Sequence, residues 1–290
     1  MPPPALSAPG SGRLGSGWAS IVSNSLDNPA TPSIQRRRPR RLAWLAPASL
    51  AVGLLAWEAL SRLAGLPSFI LPPPSAVGRR FLELASDGSL WRHTLVTLLE
   101  ILAGLAVGVT VAFVLGYLVA KSRSLERVLE PYIVASQSIP VVAIAPLLII
   151  WFGAGTLSKV MISALIVFFP VLVNTVVGVR SVPADLHDLM RSLRATRWQI
   201  FAKLDVPASL PVLFGGLKIG ATLAVIGAVV GEFVAADQGL GFLITLNRGL
   251  YDTAGVFVAV FLLIGLAMLM YSAVSYVERR TLRWRNGLEA

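Results

Sequence analysis

The sequence predicts an all-α, polytopic membrane protein with six transmembrane helices, and three observations carry that prediction. The 290 residues are 55% hydrophobic and only 14% charged, with a mean hydropathy of +0.73, whereas an average soluble domain carries roughly 25% charged residues. Six apolar runs are each long enough to cross a hydrocarbon core of about 30 Å. Basic residues gather at the ends of those runs on alternate sides, as membrane topology demands.

In chain order, residues 1–40 are rich in Pro, Ser and Gly and end in the arginine cluster Arg36, Arg37, Arg38, Arg40 and Arg41. A stretch of this kind cannot bury a core and reads as a disordered basic tail. The apolar run that follows lacks a clean small-residue cleavage site, so it reads as a retained first helix rather than a removed leader. The expected spans are 42–64, 94–120, 131–152, 158–179, 211–235 and 255–277. Residues 41–92 thus hold the first transmembrane helix plus an outer loop, 93–277 the main membrane core, and 278–290 a tail. With the amino terminus inside, inner segments hold about three times as many Lys and Arg as outer ones, which places both termini in the cytoplasm. The outer loop 65–93 carries Leu71-Pro72-Pro73-Pro74-Ser75 and then a short amphipathic run, Val77 to Leu84. Residues 153–157 read as a tight Gly-rich turn and 236–254 as a polar loop. No internal repeat is evident, which weighs against a transporter built from duplicated halves.

Several chemistries are excluded. With no cysteine there are no disulfides or thiolate metal sites, and the two histidines, His93 and His187, lie far apart in sequence. No metal site, cofactor site or catalytic cluster is expected. The net charge of +10 is accounted for by topology rather than by nucleic acid. A Gly-x-x-x-x-Gly-Lys-Ser/Thr phosphate loop is missing from the chain, so any ATP hydrolysis must come from a partner.

The loop 183–211 is too polar to span and too patterned to be a plain linker. Asp185 is placed to cap a short helix with Leu186, Leu189, Met190 and Leu193 at helical spacing. Ala195-Thr196 marks a break. A second run, Arg197 to Leu204, sets Trp198, Phe201 and Ala202 along one side, and Pro207 is expected to end it. Such a helix pair either docks into another protein or rests on lipid headgroups.

Polar residues at membrane depth are costly and default to functional candidates. Glu232 either lines a cavity, pairs across a dimer, or reaches the outer headgroups. Lys218 is expected to snorkel, and Glu58 and Glu100 to face outside water. Pro140 and Pro146 free carbonyls in the third span, which is tolerated only beside protein or a water-filled cavity. That makes Gln137, Ser138, Pro140 and Asn174 candidates for a pathway lining, with kinked packing as the alternative. Gly104/Gly108 and Gly227/Gly231 have the spacing of close helix packing. Trp44, Trp57, Trp91, Trp151 and Trp284 read as interfacial anchors.

The loop also resembles a known motif. Permeases of bacterial ATP-binding-cassette (ABC) importers carry an EAA loop: Glu-Ala-Ala, three residues, Gly, nine residues, a hydrophobic residue, one more, then Leu-Pro. The same spacing here falls on Asp188-Leu189-Met190, Arg194, Leu204 and Val206-Pro207, with Asp for Glu, Leu-Met for Ala-Ala and Arg194 for the glycine. Ser136-Gln137-Ser138-Ile139-Pro140, Ala145-Pro146-Leu147, Trp151-Phe152-Gly153, Phe168-Phe169-Pro170 with Asn174, and Gly231-Glu232-Phe233 with Gly239-Leu240-Gly241 resemble the nitrate/sulfonate/taurine branch of these permeases. The run Arg191 to Gln199 is most like members linked to riboflavin or the thiamine pyrimidine. The resemblance implies a type I ABC importer permease fold with a cytoplasmic coupling helix pair, in the bacterial inner membrane. It implies a pathway formed by two permease subunits, expected here to be a homodimer, with ATP and Mg on separate cytoplasmic ATPase subunits and a solute delivered by an extracytoplasmic binding protein. On that view Asp188, Arg191, Arg194, Arg197, Trp198, Val206 and Pro207 couple to the ATPase, and the chain is not itself an enzyme. An ion-coupled secondary transporter is the reading from a different class; it leaves the helix pair unexplained.

Overall fold

The computed structural model describes residues 45–65, 67–137 and 140–283. The expected tail 1–40, Ser138, Trp44 and Trp284 lie outside the described residues, as do the side chains of Ser136 and Gln137. The chain divides into two units, Met1–Val52 and Gly53–Ala290. In the first, the described residues are helical and belong to α1 (Leu45–Leu63), with Leu50 and Val52 exposed.

All regular structure among the described residues is helical. Four stretches are long and apolar enough to cross a membrane: Ser89–Lys121, Thr156–Arg180, Arg197–Val234 and Thr253–Thr281. They correspond to the second, fourth, fifth and sixth expected spans. α1 matches the first expected span in position. The third expected span is not one helix. It divides into α4 (Arg123–Gln137) and α5 (Val141–Phe152), with Pro140 at the start of α5. At 1.5 Å per residue α5 measures about 18 Å, short of a full crossing. The missing N–H of Pro140 is harmless at a helix start and costly inside one, so the ladder breaks there.

The centre of the second unit is a three-helix seam of α3 (Ser89–Lys121), α6 (Thr156–Arg180) and α9 (Val206–Val234). Ser163 of α6 is the closest point. A Cβ added to Gly104 of α3 would stand 2.4 Å from the Ser163 Cβ, and one on Gly227 of α9 would stand 2.5 Å from the Ser163 Cα. Neither spacing accommodates a side chain, so the two glycines permit the crossing. The Ser163 hydroxyl then donates to the Ala224 carbonyl at 3.0 Å. Further along, Gly108 meets Ala164 and Val167, Gly116 meets Thr175, and Gly231 meets Lys159. The order of these pairs makes α3 and α6 parallel and α9 antiparallel to both, as alternating spans require.

Two smaller helices frame one end of the seam. α2 (Pro74–Ser86) is the expected amphipathic run and buries Val77 and Leu84. Its start is tied to α1 by Glu58, which accepts from the Ser75 amide at 3.1 Å and the Ser75 hydroxyl at 2.8 Å. Arg80 donates to Asp252 at 2.6 Å, just before α11 (Thr253–Thr281). Residues expected to form a polar loop contain α10 (Leu240–Gly249). Its buried residues Leu240, Leu243 and Asn247 recur at helical spacing, a pattern too short to outweigh the glycines around it. Lys218 does not snorkel freely: it pairs with Glu278 of α11.

Replacing Gly227 by Val should overpack the seam and cost about 1–3 kcal/mol. Thermal unfolding of the detergent-purified protein should show a clear drop in Tm, whereas Gly265→Ala, where an added Cβ meets nothing within 4 Å, should not lower it, since Ala favours a helix interior over Gly.

Candidate functional site

The loop 183–211 folds as the expected helix pair, with different punctuation. α7 (Ala184–Ser192) starts after Pro183, and Asp185 sits in its first turn without making a side-chain cap. Proline at this boundary needs no donor, so the cap is dispensable. The break covers residues 193–196 and so includes the expected Ala195-Thr196; within it Arg194 has a left-handed φ of 54°. Arg194 therefore adopts the conformation for which glycine is usually chosen, at a strain cost of order 1–3 kcal/mol. α8 (Arg197–Ile200) then starts with a capping box: Gln199 N donates to the Thr196 hydroxyl at 3.3 Å and Thr196 N to the Gln199 side chain at 2.8 Å. The Thr-x-x-Gln signal for it stands in the sequence.

Pro207 does not end this run. A single π-helical turn, Phe201–Asp205, joins α8 to α9, with Val206 N–H donating to the Phe201 carbonyl five residues back. Pro207 falls in the first turn of α9, where its missing donor costs nothing. Val206 and Pro207 are half-buried in this bend.

The face the pair presents is apolar and uncovered. α7 has no buried residue, and Leu186, Leu189, Leu193 and Trp198 are all exposed, Leu193 and Trp198 by about 70% (70% and 72%). Asp188 and Arg191 pair at 3.2 Å on the surface, and Arg197 is exposed. Such a pair is worth little to stability.

Behind this face lies an ion cluster that sequence reasoning missed. Asp205 is fully buried. Its Oδ1 lies 2.8 Å from His187 Nε2, and its Oδ2 lies 2.8 Å from Lys121 Nζ and accepts from the Tyr117 hydroxyl at 3.1 Å. His187 Nδ1 lies 3.3 Å from the Pro183 carbonyl. Phe201 packs on Tyr117, with centroids 4.8 Å apart, and on Trp198 at 5.2 Å. Lys121 had a sufficient explanation as a topological charge, and 18 residues separate His187 from its carboxylate partner, so nothing in the sequence pairs them.

A second cluster sits at the opposite end of the seam. Glu232 is buried within the protomer: its Oε1 accepts from the Thr97 hydroxyl at 2.6 Å and its Oε2 from the Gly241 amide at 2.5 Å. The Leu240 amide donates to Thr97 Oγ1 at 2.8 Å and the Gly239 amide to His93 Nδ1 at 3.0 Å. Gly239, at φ 113°, leaves space that a Cβ would take from the Glu232 carboxylate, 2.2 Å away. Glu100 does not face outside water. It is fully buried, with Lys159 Nζ 3.3 Å from its Oε1, near enough for an ion pair but not aligned as a hydrogen bond. Lys159, which the topology reading places on the outer side, is itself only 3% exposed.

The remaining sequence candidates are scattered. Pro140 is exposed. Asn174 is half-buried, donates to the Pro170 carbonyl at 2.8 Å and packs against Gly216 of α9. Among the described residues no group of three or more His, Asp or Glu could hold a metal ion.

Residues 88–283 match the family model described as the binding-protein-dependent transport system inner membrane component. The chain belongs to that family. Relatives include the riboflavin transport system permease protein RibX of Chloroflexus aurantiacus, 47% identical over 86% of this permease and 94% of the relative. The formylaminopyrimidine transport permease protein ThiX of Halalkalibacterium halodurans is 38% identical over 80% and 92%. The taurine transport system permease protein TauC of Escherichia coli is 29% identical over 88% and 98%. A solved chain of the MetNI methionine ABC transporter, in an inward-facing conformation, aligns at TM-score 0.62 and 20% identity, covering 68% of this chain and 98% of that one. It shares the fold. The permease is thus a multi-pass inner-membrane component of an ABC importer, a family in which a separate ATPase does the hydrolysis.

Removing Lys159 alone leaves buried carboxylates without their counter-charge, so Lys159→Met should cost about 3–5 kcal/mol. Combining it with Glu100→Leu should recover part of that loss, read as a non-additive double-mutant cycle in the thermal stability of the purified permease.

Proposed function

We propose that this permease carries a vitamin or vitamin precursor, of the riboflavin or pyrimidine type, delivered by an extracytoplasmic binding protein. The observation that carries this is the 47% identity with the riboflavin permease over 94% of its length, joined by the formylaminopyrimidine relative at 38%. The lower identity to the taurine permease, 29%, ranks sulfonate, taurine or nitrate second as cargo of the same machine.

The α7–α8 pair is the element that docks into the cytoplasmic ATPase. Its exposed stripe of Leu186, Leu189, Leu193 and Trp198 supports this, because an apolar face that size on a polar loop needs a partner. Asp188, Arg191, Arg194 and Arg197 form the charged rim, and Val206 and Pro207 the bend that passes motion into α9. Both termini lie in the cytoplasm and two copies form the pathway. Gln137, Ser138, Pro140 and Asn174 belong to its lining. Glu232, closed inside its own protomer, shapes the outer end of α9 rather than touching solute.

In a riboflavin-requiring bacterium, the permease expressed with its ATPase and binding protein should restore saturable riboflavin uptake that a large excess of taurine does not inhibit. Taurine uptake in place of riboflavin uptake would overturn the cargo assignment. Replacing Leu189, Leu193 and Trp198 together by Ser should abolish recovery of the ATPase with the tagged permease, while the amount of permease in membranes stays within about twofold.

A further inference from the structure

The coupling pair is attached to the membrane core in an unusual way. α7 buries none of its residues fully, and only His187 and Met190 are half-buried, so apolar packing holds it weakly. Its contacts through Asp188, Arg191 and Ser192 stay within the helix. His187 is the α7 side chain that reaches other elements, touching Asp205 at 2.8 Å and Lys121 at 3.3 Å. Asp205 ends the π-helical turn from which α9 departs, and its other oxygen holds Tyr117 and Lys121 at the last turn of α3. One fully buried carboxylate therefore joins three elements: the docking helix, the end of α3 and the start of α9.

We propose that Asp205 is the positioning residue of the transport cycle, the joint that makes α7, α3 and α9 move as one body when the ATPase closes. This rests on the α7–α8 pair being the docking element. The physical reason is the cost of leaving a buried carboxylate unpaired: displacing α7 from α3 without displacing α9 strips Asp205 of partners it cannot replace with water. Weak apolar attachment would let the docking helix slide, whereas an ion cluster of fixed geometry resists sliding. The π-helical turn is suited to this place, since such turns interrupt regular helices at working positions. The aromatic stack of Trp198 on Phe201 on Tyr117 runs alongside the joint and links α8 to α3 as well.

The chain has no cysteine, so paired spin labels can be introduced without background. Labels at Ser192→Cys on α7 and Leu118→Cys on α3, both exposed, report the distance across the joint in the permease–ATPase complex, before and after trapping with ATP and vanadate. In the parent the distance should change by less than about 2 Å, the scale of a small helix shift. In Asp205→Asn and in Lys121→Ala it should change by about 5 Å or more, the scale of a one-turn slip. Lys121→Arg, which keeps the charge, should restore the parent behaviour, whereas Lys121→Met, which keeps the apolar stem without the charge, should slip as far as Lys121→Ala; a generic loss of packing would be rescued by both. An unchanged distance in Lys121→Ala overturns the proposal, and so does a Lys121→Arg variant that slips as far as Lys121→Ala. Should Asp205→Asn fail to fold, the Lys121 pair decides. If the ATPase does not bind the parent permease at all, the docking reading fails instead, and the two failures are told apart before any label is read.

Discussion

The fold depends on how closely three helices approach at Ser163. In a bilayer, apolar side chains gain little by leaving lipid for protein, so helices associate through close packing and interhelical hydrogen bonds. Gly104 and Gly227 present bare backbone to opposite sides of Ser163, and the Ser163 hydroxyl bonds the Ala224 carbonyl of α9. The same device recurs along α6, with Gly108, Gly116 and Gly216 each meeting a neighbour at a distance no Cβ tolerates, and Gly231 packing tightly on Lys159. The seam fixes α3, α6 and α9 in register, and a polar cluster sits at each of its two ends.

Those ends are polar in different ways. At one, Glu100, Lys159 and Glu232 are closed off within the protomer, and Glu232 is held by Thr97 and by the amide of Gly241. A buried ion pair such as Lys159–Glu100 costs about as much in desolvation as it returns, while the hydrogen bonds of Glu232 and Thr97 to the Gly241 and Leu240 amides seat α10 on α9 and α3. At the other end, Asp205 gathers Tyr117, Lys121 and His187 just behind an apolar face that no described residue covers. A rigid interior joint behind an open docking face is the arrangement a force-transmitting loop needs. The family supplies the force: a separate ATPase.

Much of this was legible in the sequence. Apolar runs gave five of the expected spans as helices at nearly the right boundaries, and the glycine spacing on α3 and α9 gave the packing seam. The spacing of Asp188, Arg194, Leu204 and Pro207 pointed to the family only weakly because the letters drift, and segments such as Phe168-Phe169-Pro170 and Gly231-Glu232-Phe233 made the match strong. What stayed hidden has physical causes. Pro140 opens α5, where its missing N–H costs nothing, whereas Pro131 and Pro146 stay inside α4 and α5, and nothing in the sequence tells the dividing proline from the tolerated ones. Pro207 failed to stop its helix because a π-helical turn placed it at a start instead. Arg194 takes a left-handed turn that composition alone would deny it. The ion clusters were invisible because each joins residues distant in sequence, and because Lys121, Lys159 and Glu100 each had a sufficient explanation as surface charges.

The claim on which the account turns is that the turn between α6 and α9 is gripped by a separate ATPase on the cytoplasmic side. Photocrosslinking from single positions is the most direct measurement. A crosslinker at Leu193 in cells expressing the full transporter should capture the ATPase, and one at the exposed Ile150 of α5 should not. No adduct from Leu193, or labelling of that position by a membrane-impermeant reagent added outside intact cells, would contradict it.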